Sequence, residues 1–180
     1  MRGGIGYIEE FATARLLRDA HLGSIWEGTG NIVAIDALTR AVGRHGADAA
    51  LAADLHARLD DSANVPQAWR NRLRELADRA VGFAREVASR SDNEGDARRA
   101  TSLLYHVASA VALAWEGGRI HEMRGDARRL LLSRMVIDHR VSPSDPFQLA
   151  ETATQRKITD HLLGEHSVGM AEVGELLSAA

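Results

Sequence analysis

Apolar residues recur along this chain with the spacing of a helix, and runs of strand-like alternation are few. In residues 7–20, Ile8, Phe11, Leu16 and Leu17 stand among charges, as in an amphipathic helix. Residues 21–28 read as a turn. Ile32, Ile35, Leu38 and Val42 then share a face of a helix running to about residue 44, capped by Thr29 or Asn31. Gly43 and Gly46 punctuate its end. Leu51, Leu55 and Leu59 recur in steps of four in a further helix. Residues 60–66 form a loop that closes on a helix-starting proline, Pro66.

The next expected helix, 66–89, has the clearest pattern. Trp69, Leu73, Leu76, Ala80, Phe83 and Val87 follow one another in alternating steps of four and three. Residues 91–95 break it. A mostly buried helix follows over 97–123, weakened at Gly117-Gly118 because glycine is a poor helix former. Gly125-Asp126 precedes a helix at 127–140. Residues 141–146, with Pro143 and Pro146, read as a loop. A helix at 147–163 and a short last one bearing Val173, Leu176 and Leu177 complete the chain. No internal repeat or low-complexity tract is present. Helices joined by short loops predict an all-α antiparallel bundle.

Composition supports that class and removes others. The chain has 180 residues, 45% hydrophobic and 26% charged, enough for one domain with an appendage. Its net charge of −3 argues against a polyanion-binding protein as a whole, although 21 of its 22 basic residues are arginine. It has no cysteine, which rules out disulfides and thiolate metal sites and fits a cytoplasmic location. The longest uncharged run, residues 100–115, is shorter than the roughly 20 apolar residues of a membrane span. No hydrophobic signal core opens the sequence.

Two short motifs carry the candidate chemistry: Gly3-Gly4-Ile5-Gly6-Tyr7, and Ser24-Ile25-Trp26-Glu27-Gly28-Thr29-Gly30-Asn31. Locally, Ser24 and Glu27 form a capping-box pattern and Thr29 is an N-cap candidate. A carboxylate beside Trp26 can also sit in a water-poor pocket, where desolvation raises its pKa and strengthens it as a base. Gly28 leaves room for an approaching substrate. Gly3-Gly4-Ile5-Gly6 follows no strand, so it lacks the context of a dinucleotide fingerprint. Its simplest reading is a glycine-rich helix start, although backbone N–H groups there suit a pyrophosphate.

The two motifs, joined by Arg15-Leu16-Leu17-Arg18-Asp19-Ala20, resemble the C-terminal signature of flavin-dependent acyl-CoA dehydrogenases. The resemblance runs from Gly3 to about Arg40 and departs from the common pattern at Ile5, often Asn, and at Ala12, often Pro. It implies an FAD enzyme made of an α domain, a β-barrel and a C-terminal four-helix bundle. Residues 1–45 would be the end of that last domain, so that the chain opens within an enzyme, and 46–180 a helical extension. By this likeness Glu27 is the base that takes the α-proton of an acyl-CoA thioester while hydride passes from the β-carbon to the flavin. The N–H of Glu27 would help hold the thioester carbonyl, and Gly28 would line the acyl site. Gly3 and Gly4 would touch the FAD of a neighbouring subunit; Thr29, Gly30 and Asn31 would touch the FAD of their own. Activity would then require the upstream domains, in a homo-oligomeric dimer or tetramer or supplied in trans. The extension looks most like the alkylation-response branch of the family.

The eight histidines are scattered without the spacing of a metal site, and no metal is expected; His21 lies close enough to the turn for a supporting role. Arginines cluster at 70/72/74, 98/99 and 128/129. They read as solvated helix faces paired with acids such as Glu75, Asp78 and Asp126. The alternative function is a non-enzymatic helical module that associates with partner subunits, or with DNA through these arginines.

Overall fold

A computed structural model describes residues 3–26, 28–143 and 153–178, and every regular element in them is helical. The all-α class read from the periodicity is therefore what the chain adopts. After a 3-10 turn at Gly3–Gly6 come α1 (Ala12–Leu22) and α2 (Gly30–Asp36), which continues as a π-helical segment, Ala37–Val42. The bundle is built by α3 (Ala47–Asp60), α4 (Gln67–Ser89), α5 (Ala97–Arg124) and α6 (Arg129–Val136). A 3-10 turn, Ser91–Asp96, joins α4 to α5, and a π segment, Ile137–Val141, extends α6. The last elements are α7 (Ala153–Leu163) and α8 (Met170–Ser178).

The four-three spacing in α4 translates directly into burial. Trp69, Leu73, Leu76, Ala80 and Val87 are all buried, while Phe83 is half-buried at the edge. Trp69, Leu73, Leu76 and Ala80 join Val107 and Val111 of α5, Leu130 and Leu131 of α6, and Val173 of α8 in the main core. One polar relay crosses it. The Trp69 indole N–H donates to Ser133 Oγ at 3.2 Å, and the Ser133 hydroxyl donates to the Ala110 carbonyl at 2.7 Å. Ser133 is fully buried, so this relay satisfies groups that would otherwise be orphaned and pins α4, α5 and α6 together.

The Gly117-Gly118 pair does the opposite of what the sequence suggests. Helix α5 runs unbroken through it. Both glycines are buried, and a Cβ on Gly117 would lie 2.6 Å from Leu130 Cδ1, while one on Gly118 would lie 2.6 Å from Asn64 Oδ1. The pair is where α5 is crossed closely by α6 and by the loop before α4; Asn64 Nδ2 donates to the Gly118 carbonyl at 2.8 Å.

A second, smaller core joins Ala34 and Leu38 to Ala84 and Val87 of α4 and to Ala97 and Ala100 of α5. The buried face here is Ala34 and Leu38, whereas Ile32 is exposed. The first helix also differs from the expectation. It begins at Ala12 because residues 4–11 close as successive turns: Tyr7 and Ile8 N–H both donate to the Gly4 carbonyl, and Phe11 N–H to that of Ile8. Ala14 is buried, but Leu16 and Leu17 are each 60% exposed. The expected helix start at 147–152 and the loop residues 144–146 lie outside the described residues.

Candidate functional site: the turn between α1 and α2

The second motif folds as the connection between α1 and α2. Trp26 N–H still donates to the Leu22 carbonyl at 2.8 Å, so the helix unwinds gradually. Ser24 Oγ donates to the His21 carbonyl at 2.7 Å and so serves the end of α1 instead of capping α2. Gly28 has φ +117°, a conformation that side chains disfavour, which gives this glycine a backbone reason to be glycine. Thr29 is the N-cap of α2 by position: its carbonyl accepts Val33 N–H at 3.1 Å, and its hydroxyl makes no capping bond. Glu27 itself lies outside the described residues.

These residues border a cleft of about 490 Å³. Ser24, Trp26, Gly28, Thr29 and Gly30 line it from the turn, Val33, Ala34 and Ala37 from the following helix, and Arg98 and Thr101 from α5. Arg98 Nη1 donates to Asn31 Oδ1 at 3.2 Å, and the guanidinium lies 3.7 Å from where a Gly30 Cβ would stand. Of the expected cofactor residues, Gly30 and Asn31 thus lie against one cation, and Thr29 and Gly30 border the same cleft as Arg98. Gly3 and Gly4 are exposed and do not border the cleft. Trp26 is 67% exposed, so the described residues alone do not enclose the water-poor pocket expected beside it.

Arg98 is the residue that local reading missed. It sits 67 positions from Asn31, and its only sequence signal was membership of an arginine pair. The other clustered arginines have partners inside the chain. Arg74 pairs with Asp60 at 2.5 Å, Arg129 with Glu116 at 2.6 Å, and Arg128 donates to the carbonyls of Gly164 and His166. Arg72 lies over the Trp69 ring. Arg128 also faces Asp126 at 3.7 Å, one of the neighbouring acids expected, whereas the acids that pair with Arg74 and Arg129 lie on other helices.

Arg18 Nη1 donates to Glu9 Oε1 at 2.5 Å, and that bond holds the Glu9 carboxyl below its ordinary range. Among the described residues no three acidic or imidazole side chains converge as metal ligands. No helix there is long and apolar enough to cross a membrane.

The residues present suit part of a flavin dinucleotide. Gly28 and Gly30 leave backbone bare, Thr29 offers a hydroxyl and Asn31 an amide, and Arg98 supplies a cation for a phosphate.

Comparison with known proteins points the same way over a limited span. A 36-residue segment is 56% identical to the putative acyl-CoA dehydrogenase AidB of Escherichia coli (strain K12). That segment is 20% of this chain and 7% of the relative. No family model matches the chain. No solved structure matches it either.

Proposed function

We propose that the chain is part of an FAD-dependent, acyl-CoA dehydrogenase-like oxidoreductase, contributing the base and one side of the cofactor site. The observation that carries this reading is the 56% identity over 36 residues with a protein named as a putative acyl-CoA dehydrogenase. The cleft at the Gly28-Thr29-Gly30 turn, with Arg98 beside it, supports it.

In this reading Glu27 takes the α-proton of an acyl-CoA thioester, its basicity raised where the assembled enzyme desolvates its carboxylate. Gly28 borders the acyl group. Thr29, Gly30 and Asn31 hold the cofactor of their own subunit, and Gly3 and Gly4 that of a neighbour. FAD would supply the acceptor for the hydride leaving the β-carbon. Residues 1–45 belong to the dehydrogenase domain, and 46–180 form a helical extension used in subunit packing.

The uncovered apolar surface fits this arrangement. Tyr7, Leu16, Leu17, Ile25 and Trp26 are each at least 60% exposed and lie within the first 26 residues. Large apolar side chains left exposed in one segment fit a surface that is covered in the whole enzyme. The remaining domains of the enzyme, or a second subunit, would cover it and complete the site.

Reconstitution tests the proposal. The chain is mixed with FAD and with the α and β-barrel domains of a related dehydrogenase. A perturbed flavin spectrum and acyl-CoA oxidation are expected only in the complemented sample, with Glu27→Gln abolishing turnover while the spectrum persists. Turnover unchanged by Glu27→Gln would remove the catalytic assignment.

A further inference from the structure

Away from the flavin turn, a groove of about 520 Å³ runs between α4 and α5 and is closed at one end by the segment after α6. It falls within the ~300–1,000 Å³ typical of small-molecule sites. Leu76, Phe83 and Leu103 form its apolar lining, and Arg79, Arg99 and Arg140 surround it. We propose that this groove binds a linear long-chain carboxylate of the fatty-acid class, with the alkyl chain along the apolar lining and the carboxylate on Arg140.

Two features select that ligand. The first is the combination of surfaces. Phe83 and Leu103 are only half-buried, so the groove offers apolar area to a guest, and the Arg99 guanidinium lies over the Phe83 ring at 4.8 Å from its centroid. An alkyl chain gains from leaving water there. The second feature is the charge balance. Arg79 faces Glu75 at 3.8 Å and Arg99 pairs with Asp96 at 3.1 Å. Arg140 is exposed and has no acidic partner among the described residues. Three cations less two carboxylates leave one net positive charge, which suits a monoanionic head. The guanidinium fork matches a carboxylate bidentately. The guest is an amphiphile and not a nucleic acid, because the lining is largely aliphatic and lacks a series of stacking rings.

The test is calorimetric titration of the full chain with sodium dodecanoate below its micelle concentration. Saturable one-to-one binding is expected. Arg140→Ala should weaken it about tenfold or more, the loss of one charge-assisted hydrogen-bonding group, while Arg140→Lys, which keeps the charge but not the fork, should lose less. Dodecanol should bind correspondingly less well, and acetate should give no heat of binding. Leu103→Asp should abolish uptake; if that variant does not fold by circular dichroism, the Arg140 pair still decides the matter, since Arg140 is outside the core. Equal affinity for dodecanol and dodecanoate overturns the proposal, as does an unchanged affinity in Arg140→Ala. Two further results would also overturn it. Displacement of dodecanoate by a DNA duplex with steep salt dependence would assign the arginines to phosphates. Binding that appears only on dilution of a dimer would assign the groove to a second copy of the chain.

Discussion

Replacing a glycine by alanine inside a helix should have opposite consequences in α4 and α5. Both Gly82 and Gly117 lie in helix interiors, so each substitution gains about 1 kcal/mol of helix propensity. At Gly82 nothing lies within 4 Å of the new Cβ, and the gain stands. At Gly117 the Cβ would meet Leu130 at three atoms: Cδ1 at 2.6 Å, the backbone N at 3.1 Å and Cγ at 3.2 Å. Leu130 is fully buried, so its side chain has no free volume to enter. Overpacking of this kind costs about 1–3 kcal/mol. The propensity gain cancels between the two variants, so their stabilities should differ by about 1–3 kcal/mol, the overpacking cost alone. Urea unfolding followed by far-ultraviolet circular dichroism measures this. With a denaturant slope of about 1–3 kcal/mol/M, the midpoints should separate by roughly 1 M. Gly82→Ala moves the midpoint up, and Gly117→Ala leaves it level or lowers it. Equal upward shifts would show that α5 and α6 do not approach closely and that the glycine pair is only a weak point in a helix.

Three other sites give sharp expectations. Ser133→Ala strands the Trp69 indole N–H in the core and should cost about 1–3 kcal/mol; Trp69→Phe in the same background should then be less damaging than in the native chain, and strict additivity would exclude the relay. Asp48, 5% exposed in the first turn of α3, accepts two bonds from Arg85 at 2.8 and 2.6 Å, so Asp48→Ala should lose about 1–3 kcal/mol in urea. Asp61 accepts from the Trp115 indole and from Arg119, which hold its carboxyl below the ordinary range. Its folded pKa is depressed, so its stabilisation is complete above the unfolded value of about 3.9 and fades as pH falls through the lower folded value. A carbon-detected NMR titration should place the Asp61 midpoint below 3.9, and Arg119→Ala should raise it; a midpoint unmoved by that change would remove Arg119 as a cause.

The sequence by itself determined the helical class and the inward face of α4, because a helix repeats every ~3.6 residues and burial follows that period. Trp69, Leu73, Leu76 and Ala80 are buried as their spacing requires. It also marked the Gly28-Thr29-Gly30-Asn31 turn, whose glycine and N-cap are local conformational signals. Tertiary structure alone decided which apolar stripes are covered. The stripe on α4 is covered by α5 and α6, whereas Leu16 and Leu17 on α1 are left 60% exposed. It also turned Gly117 and Gly118 from weak points into the place where other elements approach α5, and it set Arg98 against Asn31 and Ser133 against Trp69. Periodicity reports what lies within a few residues along one helix. These pairs are 64 and 67 residues apart, so only the packing of whole helices brings them together.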